Sequence, residues 1–370
     1  MLAIQYIPFQ ANNLMPMKQL SQQLRFSGVA SLLSALLLLA LPGTLQAQFT
    51  FTTNNAAITI TGYTGSGGTV TIPSTTNGFP VTSIGAGAFE NCGNLTNVTI
   101  PNSVTNIGYV AFFGCTNLTS VTIPNSVTDI GVGAFILCYS LTNVTIPNSV
   151  TSIGNEAFGA CLNLTAITVD TNNANYNSLN GVLFDKSQTT LVEYPAGGAG
   201  SYTIPNSVTN IGTDAFYGCD ALTKVTIGNS VTSIGSAAFY NCISLTGVYF
   251  TGNSPTPTND LYVFQFQQTN TTVYYLPGTT GWGSTFDRLP TALWLPQMQT
   301  SGANFGVQSN QFGFSINWAS DRVVVVEACT NLANPNWWPV ATNTLTSGTN
   351  CFSDLRWTNY PSRFYRIRSP

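Results

Sequence analysis

The side chains able to do chemistry in this 370-residue chain are eight cysteines, thirteen carboxylates and ten bases, with no histidine. Without histidine there is no Ser-His-Asp or Cys-His nucleophile pair and no His-ligated zinc. Six cysteines, Cys92, Cys115, Cys138, Cys161, Cys219 and Cys242, follow an Ala-Phe pair at the same offset. Metal ligation needs convergent ligands at CxxC or His spacing, and neither is present. A cysteine repeated inside an apolar motif behaves as a small hydrophobe. These six are expected as a column of buried free thiols. Cys329 and Cys351 stand apart on two predicted strands and form a candidate disulfide.

Paired carboxylates can act as acid and base without histidine. Glu156 and Asp214 share one position before Ala-Phe, where other copies carry Gly, Val or Ala. Glu193 lies in an insertion, and nothing in the sequence brings the three together. Asp170, Asn172 and Asn173 begin like a calcium loop, but Ala174 and Tyr176 stand where an oxygen ligand and a glycine are needed. An Asn-rich turn is the expectation there. The chain is therefore expected to be non-enzymatic, with no catalytic, metal or cofactor site.

Apolar residues make up 44% and charged residues only 6%, against about 25% charged in an average globular protein. A disordered chain would show the reverse balance. The acidic excess and scattered bases exclude nucleic acid as a partner, because phosphate backbones need clustered Lys and Arg.

Lys18 and Arg25 precede the apolar run Val29 to Leu41, which ends at Pro42-Gly43 and the small Ala47. These are the parts of a secretory signal, so residues 1–47 are expected to be a signal peptide. Met17 begins a conventional signal by itself, which leaves Met1 or Met17 as the start. No second long apolar run follows, so no transmembrane span is expected in the mature chain.

The remainder is dominated by a repeat. IPNSVT begins at Ile100, Ile123, Ile146 and Ile204, IGNSVT at Ile227, and a degenerate copy at Ile72. Ile100, Ile123 and Ile146 are spaced by 23 residues, as are Ile204 and Ile227. Within one copy Val121 and Ile123 alternate with Thr122, the period of a strand. Pro101-Asn102 ends the ladder. Val104-Thr105 and Ile107 make a second extended piece, and Gly108 permits the next bend. Ala111, Phe112 and Cys115 fall at near-helical spacing, predicting a single helical or 3₁₀ turn. A lone copy cannot bury its apolar face, so successive coils must stack.

These residues closely resemble the BspA-type leucine-rich repeat of bacterial and protist surface proteins, from Ile72 to Val248. The resemblance implies a mainly β, right-handed leucine-rich-repeat solenoid of about 23-residue coils. It also implies a secreted or cell-surface location and a role in binding or adhesion.

The solenoid is expected over residues 48–250, interrupted by a hairpin insertion at about 170–203 built from GVLFD and LVEYP. Residues 251–296 read as its C-terminal cap, and 297–370 as a small β-sandwich-like module. In such a solenoid the outward residues of the main strand form the concave, ligand-facing surface. The candidate column here is Asn97, Ser120, Asn143, Lys224 and Tyr249, with an extracellular protein or a glycan as partner. Two alternatives stand beside this. The array is a spacer presenting the C-terminal module, or that module binds carbohydrate through Trp318, Trp337, Trp338 and Trp357.

Overall fold

The computed structural model describes residues 48–257, 262–265 and 271–370. The expected signal peptide, its cleavage point and both alternative starts lie outside the described residues.

Stacking coils pair strands 23 residues apart, in parallel. Asn97 lies opposite Ser120, Asn143 opposite Ala166, and Lys224 opposite Gly247. The main strands run from Gly68–Thr71 through Leu95–Thr99, Ser120–Thr122 and Asn143–Ile146 to Ala166–Val169. They resume at Gly200–Thr203 and continue through Leu222–Ile227, Gly247–Phe250 and Thr272–Tyr275 to Leu289–Leu293. Val and Ile of each strand point inward and the intervening Thr outward, which is the alternation read from the sequence. The Ile-Pro pairs at Ile100, Ile123, Ile146 and Ile204 each close a tight turn, as in the bond from Val104 N–H to Pro101 O at 3.0 Å. Two-residue strands such as Asn106–Ile107 and Asp129–Ile130 then build a second parallel wall.

The third side of each coil corrects the expected helical turn. Residues two before and two after each Phe have left-handed φ, for example Val110 at 45° and Gly114 at 68° around Phe112. Alternating handedness stops helical propagation and turns every second N–H toward the next coil. Val110, Phe112 and Gly114 thus donate to the carbonyls of Val132, Ala134 and Ile136 at 3.0, 2.8 and 3.0 Å. The phenylalanines stack inside: Phe89 to Phe112 at 4.8 Å, Phe112 to Phe135 at 5.0 Å and Phe135 to Phe158 at 5.4 Å between ring centres. Tyr63 starts this ladder against Phe89, and Phe264 extends it beyond Phe239.

The insertion is more than a hairpin. Tyr176–Leu179, Val182–Asp185 and Thr190–Glu193 form an antiparallel meander, and the last of these strands also pairs in parallel with Asn210–Ile211. The insertion thereby supplies an extra, shortened coil in which Tyr194 takes the Phe place, 5.1 Å from Phe216. Asn173 anchors its entry. That side chain is fully buried, donates to Pro147 O and Val150 O, and accepts from the N–H groups of Asn175 and Tyr176. Asp170 accepts from Asn172 N–H, which makes this segment a turn.

The C-terminal module is a sandwich. A four-stranded sheet, Gln297–Gln299, Gly306–Gln308, Gln311–Asn317 and Thr349–Asp354, faces a three-stranded one, Arg322–Cys329, Trp338–Leu345 and Phe364–Arg368. Phe314, Ile316, Val324, Val326 and Phe352 fill the space between them, joined by Leu276 from the cap. Trp318 Nε1–H donates to Trp294 O at 2.7 Å. The module is therefore fastened to the end of the array through a shared core.

The expected Cys329–Cys351 disulfide is absent. Both thiols are free, Cys329 buried and Cys351 exposed. Their strands belong to opposite sheets, and along Thr349–Asp354 the inward residues are Phe352 and Asp354. The period of two therefore turns Cys351 to solvent.

Candidate functional site

The main-strand sheet decides what the candidate column can do. Asn97 and Ser120 stand side by side, with Asn97 Nδ2–H donating to Ser120 Oγ at 3.0 Å, and Asn143 follows on the next coil. The insertion then breaks the sheet, so Lys224 and Tyr249 belong to a separate stretch. The column expected from the sequence is thus split, with Asn97, Ser120 and Asn143 before the insertion and Lys224 and Tyr249 after it, on three sheets in all.

The second group is the richer. Ser201, Lys224, Gly247 and Thr272 are one outward row, and Thr203, Thr226, Tyr249 and Tyr274 the next. Tyr249 and Tyr274 stack at 4.8 Å, and Trp294 tilts against Tyr249 at 4.8 Å. Gly247 makes this possible, since a Cβ there would sit 2.6 Å from Tyr249 Cε2. The tyrosine ring lies over the bare backbone of its own strand. Burial, reinforced by Tyr274, raises the Tyr249 hydroxyl above its ordinary value and keeps it a neutral donor.

Beside this aromatic ledge the sheet and the module flank a half-open cleft of ≈ 890 Å³. Ser201, Lys224 and Thr226 form one wall, Trp294 lies at its end, and Asp321 and Arg322 line the module side. Lys224 and Arg322 are both exposed. The ion pairs among the described residues are Arg363–Asp354 and the links of Arg366 and Arg368 to Glu327, so neither cleft cation is paired. Sequence reasoning found Lys224 and Tyr249 but missed Trp294 and Arg322. Two of the module's tryptophans offer little free ring surface. Trp318 is 9% exposed, and the Arg366 guanidinium covers Trp337 at 4.5 Å.

The carboxylates also converge, contrary to the sequence reading. The extra coil sets Glu193 between the coils of Glu156 and Asp214. Glu193 is 3% exposed, and its Oε1 accepts the Phe158 N–H at 2.9 Å. Elsewhere that N–H goes to the next coil's Ala carbonyl, as Phe135 N–H does to Ala157 O. At the array's end Asp287 Oδ2 receives Phe264 N–H at 2.7 Å in the same way. A carboxylate therefore closes the ladder wherever the repeat is broken. Burial, then the charges of Glu156 and Asp214, push Glu193 up to about 8. Burial and the charge of Asp214 raise Glu156 to about 7, and burial raises Asp214 to about 6. A carboxylate so enclosed has no access to an external substrate. Among the described residues no group of three or more His, Cys, Asp or Glu is placed to hold a metal ion.

Five cysteines of the column are fully buried, while Cys92 in the first coil is half-buried, a correction that follows from its place at the start of the stack. Their role goes beyond filling space. Cys115, Cys138 and Cys161 donate Sγ–H to the carbonyls of Phe89, Phe112 and Phe135 at 3.1, 3.3 and 3.1 Å. Among the described residues no helix is long and apolar enough to cross a membrane.

A comparison with curated proteins finds no match. Among solved structures, the chain is 28% identical to a leucine-rich repeat protein from Eubacterium ventriosum, over 60% of this chain and 75% of that one, at a TM-score of 0.43. It is 26% identical to a leucine-rich repeat protein of T. pallidum, over 66% and 89%, at a TM-score of 0.36. A leucine-rich cell surface protein from Faecalibacterium prausnitzii is 26% identical over 63% and 88%, with a TM-score of 0.36. The profile described as BspA type Leucine rich repeat region matches residues 68–197 and 198–281, in six copies. With more than half of its length so matched, and with the coil repeated at 23 residues, the chain belongs to the BspA-type leucine-rich repeat family.

Proposed function

We propose that this protein is an exported, non-enzymatic binding or adhesion protein, secreted or held at the cell surface. Its main-strand sheet engages an extracellular protein or glycan. One observation carries the reading. The exposed Lys224, one of two bases in an otherwise acidic array, stands beside the Tyr249–Tyr274–Trp294 ledge at the mouth of a cleft. Aromatic and cationic side chains at a concave surface are what binding sites favour. The test is adhesion of the full-length protein to immobilised matrix proteins and glycans, with the double variant Lys224→Glu and Tyr249→Ala beside the wild type. Both side chains lie on the outer face, so the variant keeps its far-ultraviolet circular dichroism and loses most of its adhesion. Undiminished adhesion would move the site off this stretch of sheet. The spacer reading is supported by the shared core of cap and module, which holds the module in one orientation. It predicts that adhesion survives the double variant and is lost on substitution of module surface residues.

A further inference from the structure

Resting on the binding role just proposed, we infer that the cleft between the main sheet and the C-terminal module takes an acidic saccharide, one carrying carboxylate or sulfate. Four features of the cleft point to this class. Its volume of ≈ 890 Å³ gives room for a small ligand, in a cleft half open to solvent. Its lining is dense in short hydrogen-bonding side chains, among them Thr203, Asn206, Asn229 and Asn317, and poor in aliphatic ones. The core of a protein interface is more apolar than this lining, whereas a ring of hydroxyls is matched by such amides and hydroxyls. Trp294 lines the cleft and is half-buried, leaving part of an aromatic surface for the C–H face of a sugar ring.

Charge selects among sugars. Lys224 reaches the cleft from the solenoid and Arg322 from the module, and neither is engaged in an ion pair. Asp321 is the one carboxylate among the lining residues, so the lining keeps a net positive charge. The rest of the array is acidic and repels an anion, which makes this the favoured landing point. Arg322 offers a planar fork suited to bidentate contact with a carboxylate or sulfate, and Lys224 a mobile point charge. An acidic ligand would therefore span the two units, which explains why the site is built only where they are fastened together.

The experiment is isothermal titration of the full-length protein with three probes: a galacturonic-acid trisaccharide, a sulfated heparin disaccharide and neutral cellotriose. The expected result is binding of at least one acidic probe with Kd tighter than about 1 mM, at least about tenfold tighter than cellotriose. Binding of the galacturonic-acid trisaccharide shows that carboxylate suffices, whereas binding of the heparin disaccharide alone, which carries a uronate carboxylate as well, assigns sulfate as the required group. Lys224→Ala and Arg322→Ala should each weaken that binding about tenfold. Arg322→Lys should restore it in part. Arg356→Ala, an exposed module arginine outside the cleft, should leave it unchanged. Equal binding of cellotriose, no binding of either acidic probe, or unchanged affinity in Arg322→Ala would overturn the inference. If no acidic probe binds while adhesion is still lost in the Lys224→Glu and Tyr249→Ala variant, the acidic saccharide is refuted and the proposed function stands. If acidic probes bind but adhesion ignores that variant, the adhesion reading falls instead.

Discussion

Glu193 makes the stability of the solenoid depend on pH, and Glu193→Gln should remove most of that dependence. The carboxyl is 3% exposed and raised from 4.5 to about 8. The two bases of the array do not neutralise it, since the ion pairs among the described residues are all in the C-terminal module. A folded-state value above the unfolded one means that the protonated acid is what the fold accommodates. The associated stability is fully present below about 4.5 and is lost as pH rises through about 8. A gap of that size corresponds to on the order of 4–5 kcal/mol once Glu193 is ionised. For a chain of this size such a loss lowers Tm by on the order of 10 °C. Glutamine keeps Oε1 as acceptor for the Phe158 N–H and cannot ionise. Melts of the full-length protein followed by circular dichroism from about pH 5 to about pH 9 should show the wild type losing Tm steeply. The variant should lose less than half as much, the remainder coming from Glu156 and Asp214, which are half-buried and partly screened by solvent. Parallel melting curves for the two proteins across the range would refute the argument that a buried neutral acid closes the ladder.

A thiol reagent in native buffer should modify Cys351 at once and Cys92 slowly, because burial raises the Cys92 thiol to about 11. Cys115, Cys138, Cys161, Cys219 and Cys242 should react only after denaturation, and no reductant should be needed for Cys329 or Cys351; prompt labelling of the buried five would contradict the packing. Deleting Ile123 to Thr145 joins Thr122 to Ile146 in register and should leave a shorter, folded protein, whereas deleting half of that coil should abolish the melting transition. Val110 is a β-branched residue at φ 45°, where Gly87 and Gly133 stand in neighbouring coils. Val110→Asn should therefore stabilise by about 1 kcal/mol, read as a rise in Tm, and a fall would show that the valine side chain is needed there.

Much of the solenoid was legible because each coil repeats the same local instructions. Val98 and Ile100 alternate with Thr99, Pro101 stops the strand, and Phe112 returns at Phe135. A period of 23 residues then dictates the neighbours, so the parallel register followed from counting alone. The third side of the coil was less legible. Ala111, Phe112 and Cys115 have helical spacing, yet the N–H groups there are claimed by the next coil. That competition is invisible in one copy, and left-handed Val110 and Leu137 carry no compositional sign of it. The cysteine column was identified as buried, but its Sγ–H bonds to the preceding coil depend on interatomic distance.

The sequence by itself determined the family, the coil length, the inward and outward faces of the strands, and the presence of Lys224 and Tyr249 on the outer face. These depend on local periodicity, which is written in every copy. Only the tertiary structure decided what happens where the period fails. It turned the insertion into an extra coil, and so brought Glu193 to the Phe158 N–H between Glu156 and Asp214. It put Cys329 and Cys351 on opposite sheets. It also set Arg322 across the cleft from Lys224, 98 positions earlier in the chain. Contacts between segments with no shared repeat are governed by how whole units pack, through buried residues such as Leu276 and Trp318, and no spacing in the chain encodes them.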